Sequence, residues 1–224
     1  MPGMDLGIDL GTSQVVIYAS GKGVVLKEPA VIAVDSRDGH IVACGQEAYD
    51  MLGRTPDSIT AVRPLAKGVI ADYDYAERML RYFVRKVCAY KILKPRAAVS
   101  VPASVTEVEQ RSVVEAVSAA GVRRVVLIEE AVAAAIGAGL DVSAARGSMA
   151  VNIGGGTTDV AVLSLKGIST SSSLRVGGDD MDAAIVRYLR TKYNLIIGTR
   201  MAESIKKSIG SAMPPETASV MEAK

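Results

Sequence analysis

Tryptophan is absent from the 224 residues, Phe83 is the only phenylalanine, and aromatic residues make up just 4% of the chain. A folded core must therefore be assembled from Val, Ile, Leu and Ala. Histidine is nearly missing too. His40 is the only one, beside Gly39 in a stretch of turn composition, which argues against a histidine-based catalytic triad or a His-rich metal centre. Cys44 and Cys88 are far apart and form neither a CxxC nor metal-ligand spacing, so they read as two reduced thiols. No apolar run approaches the roughly 18–20 residues that cross a bilayer. The opening "MPGMDLGIDLGTS" has no basic segment and carries Asp5 and Asp9, unlike a secretory signal. The expectation is a soluble, cytoplasmic chain. A formal net charge of +2 gives no reason to expect nucleic acid as a partner.

What is present is an ordinary globular balance, 49% hydrophobic and 22% charged. The N-terminal stretch reads as short strands separated by glycine turns: Leu6–Leu10, Val15–Ala19, Val24–Leu26 and Val31–Val34. Met79, Leu80, Phe83, Val84, Val87 and Cys88 recur at helical spacing with Arg78, Arg81 and Arg85 between them, predicting an amphipathic helix between Asp72 and Tyr90. "KPRAAVSVPAS" reads as a strand bounded by Pro95 and Pro102. Thr106 and Glu109 have the spacing of a capping box, opening a helix that ends near Gly121. Val125–Ile128 reads as a strand and Glu130–Leu140 as an Ala-rich helix able to pack closely. The loop "DVSAARGS" marks a lobe boundary. Beyond it come a strand pair, a Ser-rich turn over Ser169–Ser173, and helices near Asp180–Tyr193 and Arg200–Ile209.

Two segments echo one another, "GIDLGTSQVVIYASGKGVV" and "AVNIGGGTTDVAVLSLKGIS". Each places Asp or Asn before a Gly/Thr/Ser turn, then an apolar strand and Lys-Gly. In a Rossmann or Walker site the glycine turn opens a helix. Here "QVVIYAS" and "DVAVLSL" are rich in β-branched residues, so both turns are predicted hairpins. Backbone N–H groups in such turns can form anion-binding nests, and glycine permits close approach of a phosphate. Two of them facing one another would clamp a polyphosphate between two lobes.

"DLGT", "NIGGGTTDV" and "EEAVAAAIGAGL" resemble the two phosphate motifs and the lobe-joining motif of the actin, sugar-kinase and chaperone ATPase superfamily. "RPLAKGVIADYDYAERMLRYFV", "VPASVTEVEQRSVVEAV", "VGGDDMDAAIVRYLRTKYNLIIGTRMAESIKKSIG" and the Lys-Pro-Arg of "ILKPRAAVSVP" narrow the resemblance to MreB, the bacterial actin-like cell-shape family. It implies an α/β, actin-like ATPase fold of two lobes with duplicated ribonuclease-H-like cores. The first lobe would be 1–145, with an outer subdomain at about 33–66. The second, 146–224, would be incomplete, with its outer subdomain from about 180. The family binds ATP or GTP with Mg²⁺, self-assembles into filaments at the inner face of the membrane and works with the cell-wall synthesis machinery. Carried over by position, Asp9 and Asn152 match the groups facing the metal. Gly11, Thr12 and Ser13 match the first phosphate turn, and Gly154, Gly155, Gly156 and Thr157 the second. Glu130 matches the acid that positions the attacking water, which Thr157 helps to hold. Gly177, Gly178 and Asp179 match a turn near sugar and phosphate, and Glu203 and Lys206 match positions facing ribose and adenine. Without the resemblance, that last pair reads equally as a solvated i,i+3 ion pair.

Three departures stand out. Asn152 occupies a position where the family carries Asp, keeping the shape but not the charge. Ala131 stands where proline follows the glutamate, loosening the expected aim of Glu130. The sequence also stops where the family continues, so it reads as a fragment or an incomplete gene product. The leading expectation is a filament protein with slow ATPase activity. A nucleotide-binding paralogue that does not hydrolyse is the alternative, while a small-molecule kinase lacks a candidate base. Ile92 and Leu93, flanked by Lys91, Lys94 and Arg96, form an apolar pair expected either to enter an anionic membrane or to pack inward as a connector.

Overall fold

The computed structural model describes residues 4–88, 94–214, 217 and 219–222. The predicted membrane pair, Ile92 and Leu93, lies outside them. Along the chain run β1 (Asp5–Leu10), β2 (Gln14–Ala19), β3 (Gly23–Pro29), β4 (Ile32–Asp35), β5 (Ile41–Cys44), α1 (Gln46–Met51), β6 (Ile59–Val62), β7 (Leu65–Ala66), β8 (Val69–Ile70) and α2 (Tyr73–Cys88). They are followed by β9 (Arg96–Val101), α3 (Glu107–Ala119), β10 (Arg124–Glu129), α4 (Glu130–Gly137), β11 (Ser148–Ile153), β12 (Thr158–Ser164), β13 (Gly167–Leu174), α5 (Gly178–Tyr193) and α6 (Thr199–Ile209).

A mixed sheet in the order β10-β9-β1-β2-β3 forms the larger body. The antiparallel β1–β2–β3 meander is extended by parallel β9 and β10. Its core takes Leu6, Ile8, Val15, Ile17 and Val99 from the strands, Met79, Leu80 and Phe83 from α2, and Val113 and Val117 from α3. The helical spacing seen in the sequence of α2 is the face that fills this core. The predicted capping box of α3 is present: the Thr106 hydroxyl accepts from the Glu109 N–H at 3.3 Å, and the Glu109 carboxylate accepts from the Thr106 N–H at 2.7 Å.

Three strands, β5-β4-β6, form a small separate sheet with α1. All four residues of β4 are buried because its faces serve two clusters. Ile32 and Val34 join the main core, while neighbouring Val31 and Ala33 pack with Ala43 and Ala48. The third sheet, β11-β12-β13, is antiparallel and carries α4 on one face.

One expectation is corrected here. Ser169–Ser173 is not a turn but lies within β13, paired along β12. The true hairpin loop is Leu165–Lys166, with φ of 52° and 64°. Those backbone angles suit a two-residue hairpin loop, yet neither residue is the Asn or Gly that announces one. The serines, which elsewhere favour turns, are held by the ladder to an apolar neighbour. Among the described residues, no helix is long and apolar enough to cross a membrane.

Candidate functional site

Both glycine turns close antiparallel hairpins, as their β-branched flanks require. The last paired positions are Leu10 with Val15 and Ile153 with Thr158, which leaves residues 11–14 and 154–157 as the loops. Register then fixes the groups beside each loop. Asp9 lies opposite Val16, and Asn152 lies opposite Asp159. The loops meet tip to tip: a Cβ on Gly155 would overlap the Ser13 side chain, and one on Gly156 would overlap the Thr12 hydroxyl. Only glycine permits this approach.

The sequence-predicted residues gather around two adjoining cavities. One, of about 210 Å³, is lined by Asp9, Glu130, Asn152 and both loops. The other, of about 620 Å³, shares Ser13, Gly154 and Gly155 with it and extends to Gly178, Asp179, Glu203 and Lys206. The Gly177–Asp179 turn is docked on the second loop, with the N–H groups of Gly178 and Asp179 donating to the carbonyls of Gly154 and Gly155, each at 2.9 Å. Asp179 also accepts from Arg63 at 3.3 Å and from the Ser13 hydroxyl at 3.5 Å. Glu203 and Lys206 do not pair with each other. Glu203 accepts from the Tyr49 hydroxyl and from Lys207, each at 2.6 Å. Lys206 donates to the Gly178 carbonyl and pairs with Asp182, each at 2.8 Å.

Two carboxyl groups, Asp9 and Glu130, line the smaller cavity. Burial holds the Asp9 pKa above its ordinary value, opposed by the Ser100 hydroxyl, which donates to it at 2.8 Å. Glu130 is pushed up to about 7, first by burial and then by the negative charges of Asp159 and Asp9. Asn152 opposes that rise, its amide donating to Glu130 Oε2 at 3.0 Å. The amide expected merely to face a metal therefore also orients the acid. Ala131 is 2% exposed and packs with Ala135, Ala150 and Ala161, setting the start of α4 close against the third sheet. Among the described residues, no lysine or arginine is named among the groups that shift Asp9 or Glu130. Such a set of hard oxygen donors fits a divalent cation of the Mg²⁺ type.

Two features escaped the sequence reading. The Lys67–Gly68 tip of the β7–β8 hairpin wedges between the loops. Gly68 (φ 76°) donates its N–H to Thr12 Oγ1 at 2.9 Å, and a Cβ on Gly156 would stand 2.8 Å from Lys67 Cα. The Lys67 ammonium pairs with Asp180 at the start of α5. Nothing in local spacing announces so distant a contact. Asp159 was the other omission, although counting back from the 154–157 loop would have placed it opposite Asn152.

The family described as MreB/Mbl protein matches residues 3–224. The chain belongs to the MreB/Mbl family. It is 51% identical over 216 residues to the cell shape-determining protein MreB of Escherichia coli (strain K12), covering 94% of this chain and 62% of that protein. MreB 5 of Spiroplasma citri bound to AMPPNP superposes with a TM-score of 0.89 at 37% identity, over 97% of this chain and 66% of that one. The MamK double helical filament shares the fold, with a TM-score of 0.78 at 20% identity over 92% of this chain and 65% of that one. The fold is thus actin-like, and the chain spans 62% of the length of the Escherichia coli relative, short of two thirds.

Proposed function

We propose that this chain binds ATP or GTP with Mg²⁺ in the cleft between the glycine loops, hydrolyses it slowly, and serves a filament that shapes the cell by organising wall synthesis at the inner face of the membrane. The observation that carries the reading is the meeting of the 11–14 and 154–157 loops above Asp9, Glu130 and Asn152. Backbone N–H groups of the loops supply donors to phosphate oxygens. A divalent cation, when bound, neutralises phosphate charge, with Asp9 and Asn152 facing it. Glu130, held by the Asn152 amide and pushed up to about 7, is placed to orient a water and to take its proton near neutral pH. Thr157 lines the same cavity and supports that water. The AMPPNP-bound relative supports nucleotide binding, and the family supports assembly. The separate clusters around the first and third sheets support a division into lobes 1–145 and 146–224, and the small β5-β4-β6 cluster supports an outer subdomain near 33–66.

Calorimetry with Mg·ADP tests the site. Asp9→Ala should weaken binding at least about tenfold, ~1.4 kcal/mol. Unchanged affinity in that variant would remove the cavity from consideration. The uncharged Asn152 favours a second reading, in which nucleotide is bound without hydrolysis. Phosphate release in Mg²⁺ above a no-protein control decides between the two.

A further inference from the structure

The β7–β8 hairpin turns through Lys67 and Gly68, just past the pair Ala66–Val69. Both turn residues have positive φ, 52° and 76°. Two-residue loops of that kind favour Asn-Gly or Asp-Gly, because few L side chains suit the left-handed region. Leu165 and Lys166 share such angles in an exposed loop, so the angles alone decide nothing. Position does. The Gly68 N–H donates to Thr12 Oγ1 at 2.9 Å, and Lys67 Cα stands 2.8 Å from where a Cβ on Gly156 would be. The tip thus rests on both glycine loops at once. Its ammonium pairs with Asp180, but the two side chains are 41% and 38% exposed, where an ion pair adds little. Gly68 lines the smaller cavity, and no lysine or arginine does so among the described residues. A terminal phosphate bound there would meet Asp9 and Glu130 without a protein cation.

We infer that Lys67 recognises the terminal phosphate of a nucleoside triphosphate, exchanging its pair with Asp180 for a phosphate oxygen. The inference rests on reading the cavity as a nucleotide site and goes beyond it by naming the cation that tells triphosphate from diphosphate. The flexible four-carbon stem of lysine carries a compact charge with three donors, so the ammonium pivots while the tip stays on the loops. A terminal phosphate carries roughly two negative charges against one on Asp180, and inside the cavity it is less screened than an exposed carboxylate. The exchange also reaches α5. Asp180 lies in the first turn of that helix, where its Oδ2 accepts from the Gly177 N–H at 2.9 Å. Departure of Lys67 therefore frees the hairpin tip from α5 without uncapping the helix.

Calorimetry on the 224-residue chain with Mg·AMPPNP and with Mg·ADP tests the exchange. Lys67→Asn suits the turn angles and removes the charge, so the melting midpoint without nucleotide should hold or rise. Its affinity for Mg·AMPPNP should fall at least about tenfold, while that for Mg·ADP changes by less than about twofold. Asp180→Asn keeps an oxygen for the Gly177 N–H and removes the competitor, so Mg·AMPPNP should tighten about threefold with Mg·ADP unchanged. In the double variant that gain should vanish, because Asp180 acts only through Lys67. A purely structural clasp predicts instead that both single variants lower the midpoint and weaken both nucleotides alike, and that result overturns the inference. So does wild-type Mg·AMPPNP affinity in either single variant. A wild-type chain that binds Mg·ADP but not Mg·AMPPNP overturns this inference alone, whereas one that binds neither removes the cleft reading and this inference together.

Discussion

Glu130 is a carboxyl that keeps its proton far longer than a solvated one, and that has a sign. Its folded value of about 7 lies above the 4.5 of the free group. Stability from this group is therefore fully present below pH ~4.5 and is lost as pH rises through about 7, on the order of 3 kcal/mol in total. In chelator, urea unfolding should show the wild type losing stability between about pH 5 and 8 relative to Glu130→Gln. Asp9 is raised in the same direction, so only the difference between the two proteins isolates Glu130. Parallel curves would show that neither burial nor the neighbouring carboxyls raises Glu130. Single residues were unevenly legible in the sequence. Asp9, Asn152 and Glu130 stood in recognisable motifs, and the structure brings them to one cavity. Asp159 belonged to the same quoted motif yet went unassigned, because its importance lies in register, a property of two strands rather than one.

Among elements, the long ones were legible and the short ones were not. Sixteen-residue α2 and α5 announced themselves by period or position, while β5, α1 and β6 offer too few residues for a periodicity to register. The loops were readable as hairpins because β-branched residues follow them, but their partner was not. Its tip, Lys67–Gly68, reaches them only through the tertiary fold. Gly156→Ala should test this three-way contact. The new methyl would press on the Thr12 hydroxyl and on Lys67, whose N stands 2.9 Å from the Cβ position. Backbone cannot yield as a side-chain tip does, so Mg·ADP affinity should fall at least about tenfold, with about 1–3 kcal/mol lost from stability. Retained ADP affinity by calorimetry would mean that the loops part without harm.

Across the whole molecule, polar links tie the small sheet and α1 to α5 and α6, and α3 to the end of β13. Arg63 with Asp179 (3.3 Å), Arg200 with Asp50 (3.2 Å) and Arg175 with Glu109 (2.9 Å) are all partly solvent-accessible. Tyr49 adds its hydroxyl to Glu203 and lies under two guanidinium groups, with Arg200 4.9 Å and Arg63 5.9 Å from its ring centre. Exposed pairs are weak and are screened by salt. Without nucleotide, small-angle scattering should show the chain expanding as salt rises from about 0.05 to about 0.5 M, and Mg·ADP should suppress most of that change. A salt-independent profile would place the restraint elsewhere. For the membrane, Ile92→Ser with Leu93→Ser should reduce co-sedimentation with anionic liposomes at least about twofold, and equal pelleting would favour the inward-packed connector. A last consequence follows from the alanines between α4 and its sheet. Ala131, Ala135, Ala150 and Ala161 make that contact a thin gasket, and its thickness sets how deep the acid at the helix tip sits. The depth of the Glu130 carboxyl is thus set by methyl groups that do not line the cavity. Changing the gasket alone would move that carboxyl while leaving every motif residue as it is.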